Sequence, residues 1–356
     1  MTSSIRGVIA DAMDPSPSAD RGAAPLTSRG VRDWLRHFAK LNCLATLLLI
    51  FVGALVKSTG SGLAVPDWPL SFGGLFPPMV GGVFYEHGHR MAATLVGFLI
   101  LCLAVLLALY EERRWVRTLG WTALTVVILQ GLLGGLTVLL YLPTAVSLAH
   151  GVLAQTFFVL TIVIAYALST ERTRRGRDLV SPANRRLLKA SCWVMGLIYV
   201  QLILGGVMRH TESGLAIPDF PTVGWAWVPR FDAAMLHKIN VWRFDAGQDS
   251  DVTMAQVLYH FSHRVGALVV FFAVVWLNVI ALRSACSGSL RALLIVMDLL
   301  LLAQIGLGVM TVLTLKQPHL TSGHVMVGAG LLGISTLLLL RSAPLSWQDL
   351  RRTLTN

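Results

Sequence analysis

Charge is scarce in this chain, cysteine is scarcer, and amphipathic stripes are missing. Asp, Glu, Lys and Arg make up only 13% of its 356 residues, against 55% hydrophobic residues, and the mean hydropathy is +0.68. The apolar residues come in unbroken blocks, which excludes an ordinary soluble domain and indicates an integral membrane protein. Of the four cysteines, Cys43, Cys102 and Cys192 fall inside apolar runs and Cys286 in a short basic segment. None lies in a long polar loop, so neither a disulfide nor a thiolate metal site is expected. The net charge of +11 would suggest nucleic acid in a soluble protein. Here the basic residues lie between apolar blocks, so membrane topology explains them and no nucleic-acid partner is expected.

Blocks long enough to cross roughly 30 Å of hydrocarbon run at about 38–56, 89–109, 119–141, 145–168, 190–208, 261–282, 292–314 and 322–340. The expected fold is all-α, with eight transmembrane helices. Lys and Arg crowd the segment before 41, EERRWVR at 111–117, 171–189, 283–291 and the C-terminal end. The positive-inside rule therefore puts both termini in the cytoplasm and the long loops 57–88 and 209–260 outside. The polar first 37 residues, rich in Pro, Ser and Arg, are expected to form a disordered cytoplasmic tail. No cleavage site follows the first apolar block, which is expected to be retained.

The chain repeats itself. GALVKSTGSGLAVPDWP at 53–69 matches GGVMRHTESGLAIPDFP at 205–221, with Pro218 following Pro66 by 152 residues. YEHGHRMAATLVG at 85–97 matches YHFSHRVGALVVF at 259–271, and QGLLGGLTVLL at 130–140 matches QIGLGVMTVLT at 304–314, both 174 apart. His150 and His324 share the spacing of 174, so an insertion of 22 residues lies in the second outer loop. Four helices per unit is an even number, so the halves are parallel repeats, expected as two tandem four-helix bundles. The N-terminal bundle spans 38–170, a cytoplasmic linker 171–189, the C-terminal bundle 190–341 and a cytoplasmic tail 342–356.

One His near a helix end is most often interfacial. Four at repeat-related positions are different: His89 and His150 open two helices of the first half, and His263 and His324 open the matching two of the second. Two inward imidazoles from different helices can hold one haem iron from both sides. Zinc competes, but it wants three or four protein ligands, and only Glu86 adds a candidate at that depth. The small residues of QGLLGGLTV and QIGLGVMTV offer room for a porphyrin or, more plainly, close helix packing. Arg90 and Arg264, each following a ligand candidate, could pair with haem propionates or equally snorkel to headgroups. Glu86 precedes His89 by three residues and shares its helix face if the helix extends that far, whereas His87 points the other way and reads as interfacial. The residue aligned with Glu86 is His260. An acid kept in such a place suggests proton handling or charge stabilisation, which makes the first half the chemical site and the second the fixed-cofactor site.

The paired TGSGLAVPDWP and TESGLAIPDFP loops, the EHGHR and SHR motifs and the His of helices four and eight together resemble the haem A synthase family over about residues 41–340. The resemblance implies an inner-membrane enzyme that oxidises the C8 methyl of haem O to the formyl of haem A for cytochrome oxidase. It further implies that His263 and His324 hold a resident haem b, and that His89 and His150 bind haem O beside Glu86. Haem O synthase, an electron donor and cytochrome oxidase assembly factors are the partners it brings into view, and an oligomer stays open. Many family members carry a Cys pair in a CPDWPLC-like pattern, where this chain has Val65 and Ser71, and Ile217 and Val223 in the second loop. The resemblance is thus to the cysteine-free type. The alternative is a di-haem b-type cytochrome taking electrons from quinol. A repeat-built transporter ranks lower, because Asp298 and Glu86 are the only candidates for a charged mid-membrane path. Supplied with haem, the purified protein is expected to show a Soret band in its visible spectrum, and a colourless preparation would remove the haem reading.

Overall fold

The computed structural model describes residues 28–174, 182–248, 250–284 and 287–343. Cys286, residues 1–27 of the expected tail, 175–181 of the linker and 344–356 lie outside them. The described residues are helical, without a named strand: α1 (Ser28–Ser58), α2 (Gly82–Tyr110), α3 (Arg114–Leu139), α4 (Thr144–Ala167), α5 (Thr170–Arg174), α6 (Pro182–His210), α7 (Ala233–Asp245), α8 (Met254–Leu282), α9 (Gly288–Leu313) and α10 (Pro318–Ser342). Eight of these, all except α5 and α7, are long and apolar enough to cross a membrane, in agreement with the eight blocks. At about 1.5 Å per residue, the shortest, α4 with 24 residues, already exceeds the hydrocarbon thickness.

The helices begin earlier than the apolar blocks do. α1 includes residues 28–37, α2 starts seven residues before His89, and α8 starts at Met254. Polar residues a turn or more inside these starts, such as Glu86, His87, His89 and Arg90 in α2 and His260, His263 and Arg264 in α8, conceal them from a hydropathy reading. The start of α8 is fixed by a capping box: Thr253 accepts from Gln256 N while the Gln256 side chain accepts from Thr253 N. Ser287 and Gln317 cap α9 and α10 in the same way through side-chain oxygens.

In the first half α1 packs on α2, α2 on α3, α3 on α4 and α4 back on α1, closing a four-helix ring. In the second, α6, α8, α9 and α10 do the same. The halves meet through α10 against α1 and α4, and α6 against α4. These contacts are compatible with two tandem bundles. Local details recur at the sequence offsets as well. The α3–α4 turn holds Tyr141 and Leu142 at positive φ and the α9–α10 turn holds Leu315 and Lys316 likewise. Leu142 N donates to Thr137 O and Lys316 N to Thr311 O, and these bonds secure a conformation that L-residues otherwise avoid.

Packing is uneven along the bundle axis. The buried apolar cluster of the first half, including Val96, Ile100, Leu103, Leu107, Val116 and Ile164, fills the end away from the 57–88 loop. That of the second half, including Val194, Ile198, Val274, Leu277, Met297 and Leu332, fills the same end. Each bundle is thus tightly packed at one end, and its paired histidines lie at the other. The 22-residue insertion in the second outer loop contains α7, whose Met235 and Ile239 join Ile217, Val252 and Val257 in a small core of their own over that half. In the first half Trp68 instead lies against α3, where a Cβ on Gly135 would come within 2.5 Å of its ring. Gly135→Ala is expected to cost about 1–3 kcal/mol through overpacking, whereas Gly131→Ala, which meets open space, should cost nothing. Thermal unfolding of the two variants in detergent checks this, and equal midpoints would remove the Trp68 contact.

Candidate functional site

The four repeat-related histidines share one local environment. Each lies on a neighbouring helix at a glycine: a Cβ on Gly53 would come within 2.9 Å of the His89 ring, and Cβ atoms on Gly134, Gly205 and Gly308 would come within 3.0 Å of His150, His263 and His324. Without a side chain at those four points, each imidazole lies against helix backbone and turns into its bundle. Three glutamine amides follow the same rings. Gln130 Nε2 lies 3.4 Å from His150 Nε2 and donates to the His150 carbonyl at 3.0 Å. Gln304 Nε2 lies 3.3 Å from His324 Nε2. Gln201 Nε2 lies 3.0 Å from His263 Nδ1 and donates to its carbonyl at 2.8 Å.

His263 and His324 face each other with ring centres 6.3 Å apart and planes at 72°. Two imidazoles sharing one first-row metal at about 2 Å each would place their centres about 6 Å apart, so the spacing suits one ion between them. His324 Nδ1 is 3.0 Å from the Gln304 carbonyl oxygen, which can only accept. Nδ1 therefore carries the proton, and the Nε2 lone pair faces the Gln304 amide, which a ligand at Nε2 would displace. His89 and His150 lie near enough for their charges to interact, and the Nδ1 of each is buried without a partner among the described residues. No group of three His, Cys, Asp or Glu side chains suited to a metal ion forms among the described residues. The donors come in pairs, as an axially ligated haem needs and as zinc does not.

The polar groups beside the rings follow a different plan from the expected one. Arg90 and Arg264 are both held by loop carbonyls. Arg90 donates to Val65 O at 2.8 Å, Asp67 O at 2.6 Å and Leu70 O at 2.9 Å. Arg264 donates to Ile217 O at 3.0 Å, Asp219 O at 2.8 Å and Thr222 O at 3.0 Å. The duplicated VPDWP and IPDFP loops are wrapped around these guanidinium groups. Asp67 closes its loop by accepting from Phe72 N and Gly73 N, and Asp219 does so from Gly224 N and Trp225 N. The N–H groups of Gly73 and Phe72 hold the Asp67 carboxyl below the usual carboxylate range.

Glu86 is buried. Its Oε2 accepts from Val65 N at 2.8 Å and its Oε1 pairs with Arg90 at 2.6 Å. His260 takes the same two contacts in the second half, accepting from Ile217 N at 3.2 Å and lying 3.2 Å from Arg264 Nε. The acid and the imidazole are alternative solutions to one loop-anchoring task, and only the first half puts a carboxyl there. His87, expected at the interface, is buried and hydrogen-bonded at 2.8 Å to Ser71. α2 begins early enough to carry it under the loop.

The glycine seats and the amides were missed as functional residues. Gly134, Gly308, Gln130 and Gln304 stand in the matched small-residue motifs, so the signal was present without a role attached. Gln201 has Leu49 as its counterpart, so comparison of the halves hides it.

Taken together, the fold and the facing imidazoles define a multi-pass membrane protein with a histidine pair set into the outer end of each helical bundle. The chain belongs to the COX15-CtaA family, described as cytochrome oxidase assembly protein, which matches residues 80–336. A protein of Bacillus pumilus (strain SAFR-032) named heme A synthase is 30% identical over 251 residues, 69% of this chain and 73% of its own length. One of the same name from Methylobacterium radiotolerans is 27% identical over 361 residues, 91% of this chain and 92% of its own. Another from Halalkalibacterium halodurans is 25% identical over 299 residues, 82% and 92% respectively.

Gly205→Val or Gly308→Val is expected to push His263 or His324 out of line and to lower the haem per protein measured after purification. Full occupancy in both variants would mean that the glycines do not position the ligands.

Proposed function

We propose that this protein is a haem A synthase, which oxidises the C8 methyl of haem O to a formyl group and delivers haem A for cytochrome oxidase. The observation that carries the reading is the facing of His263 and His324 at the spacing one iron needs, in a chain of the COX15-CtaA family. The second half holds a resident haem b on these two residues. Haem b bound there supplies one-electron transfer.

The first half takes haem O as substrate between His89 and His150, whose Nδ1 atoms are unpaired. Gly53 and Gly134 orient these rings, and Gln130 restrains His150 from the adjoining helix. Glu86 lies one helical turn from His89 and is the carboxyl that distinguishes this half. By releasing Val65 N or Arg90 it can accept a proton from the reacting substrate or oppose a positive charge on it. Trp68, packed at Gly135 beside the seat of His150, covers the outer end and helps to exclude water.

The Lys and Arg residues at the packed ends of the bundles support a bacterial inner-membrane orientation with cytoplasmic termini and the haem sites toward the outer face. Haem O synthase, an electron donor and cytochrome oxidase assembly factors are the proposed partners.

Pigments extracted from cells that make haem O test the reading. With the native protein they should contain haem A. Glu86→Gln, which keeps an acceptor for Val65 N but loses the charge, should lower haem A by about 100-fold or more with haem O accumulating and resident haem retained. His89→Ala and His150→Ala should behave likewise, whereas His263→Ala or His324→Ala should lose the resident haem itself. Normal haem A from the Glu86→Gln protein would overturn the catalytic role of Glu86.

A further inference from the structure

Arg209 is a cation inside a membrane-spanning helix, in no ion pair among the described residues although the charge of Glu212, three residues on, reaches it. It stands in the last turn of α6, one turn from Gly205, on which the His263 ring rests. Its side chain reaches across the seam between the bundles, where Nη2 donates to Ala54 O at 2.6 Å and to Ser58 Oγ at 3.0 Å. Ser58 is bonded at 3.0 Å to Ser322 of α10, a fully buried residue two positions before His324. The guanidinium therefore lies against α1 at the seam, one hydrogen-bonded step from Ser322 of the α10 helix that carries His324, and near enough for its charge to act on His324.

Among the described residues no ion pair includes Arg209. The nearest candidate acid, Glu212, is taken by Lys57 and by Lys316 at 3.6 Å. Burial opposes ionisation of Glu212, but the two lysines outweigh it and hold its carboxyl below the usual range. Nε and Nη1 of Arg209 have no hydrogen-bond partner among the described residues. A charge in the membrane is expensive to keep unless something pairs with it, and a guanidinium fork matches a planar carboxylate in particular. The other arginines near the sites are committed elsewhere: Arg90 and Arg264 to loop carbonyls, and Arg243 to Ser250 O and Leu215 O.

We infer that Arg209 binds a propionate carboxylate of the porphyrin held between His263 and His324. The inference rests on the haem reading of that pair. A porphyrin held there would bring two carboxylates to the end of the bundle where Arg209 stands, and a carboxylate on the α10 side would meet the guanidinium. The repeat makes the assignment specific to one half. Lys57 occupies the equivalent position of the first half, 152 residues earlier, and its charge is already answered by Glu212. Arg209 thus anchors the resident group, while the first half has no free cation at the matching point.

The full chain, stripped of haem in detergent and titrated with iron protoporphyrin IX or its dimethyl ester, tests this by the Soret change. The native protein is expected to bind the free acid about tenfold or more tightly than the ester, and Arg209→Gln should abolish most of that preference while folding and binding the ester as before. Arg209→Lys should keep part of it, and serves in place of Arg209→Gln if that variant does not fold. In holoprotein, Arg209→Gln should also shift the midpoint potential of the resident haem downward, because an unanswered carboxylate favours the ferric form. An inter-helix staple to Ala54 would alter folding without changing the acid-to-ester ratio. No preference in the native protein, or a preference that survives both substitutions, overturns the assignment. If His263→Ala and His324→Ala leave binding unchanged, the haem reading fails first and the role of Arg209 with it.

Discussion

An imidazole can reach the middle of a helical bundle only where the helix opposite gives up its side chain, and this chain meets that steric demand four times. Gly53, Gly134, Gly205 and Gly308 each leave a gap that one His ring fills. The rest of the outer end is arranged around those contacts. Glutamine amides restrain three of the rings, duplicated loops lie above them, and close apolar packing begins only about two turns deeper, at Val96 in α2 and Val270 in α8. In lipid, where the hydrophobic effect does little to press helices together, such gaps are stable only when filled by a ring or a bound group.

Duplication supplied two similar bundles, and their differences separate the roles. The anchoring position under the outer loop is an acid in one half and an imidazole in the other, yet Glu86 and His260 contact the same loop nitrogen and the same arginine position. Gln201 steadies His263, while its sequence counterpart in the first half is Leu49, which packs with the apolar cluster. The second half carries α7 and its own small outer core, and the first has Trp68 folded onto Gly135. A half with more restraints on its ligands suits a group that stays, and a half closed by one aromatic side chain suits a group that comes and goes.

The seam joining the halves is equally asymmetric. Lys57 and Arg209 are counterparts, but Lys57 pairs with an acid from the other half, and among the described residues Arg209 bonds to a carbonyl and a hydroxyl across the seam. Because the halves share an interface of α1, α4, α6 and α10, charge placed there lies close to both histidine pairs.

Sequence alone determined the membrane class, the eight spans, the two-fold repetition and the four histidines, because apolar run length and fixed residue offsets are one-dimensional quantities. It also placed Glu86 on one helix face with His89, since helical spacing is local. Tertiary structure decided what those residues touch. Arg90 and Arg264 are bound by loop carbonyls 20 or more positions away in the chain, His87 is buried under Ser71, and Gln201 is placed beside a ring 62 residues further on. Hydrophobic periodicity carries no trace of such contacts, because they depend on where a loop folds back and on which helix happens to present a glycine.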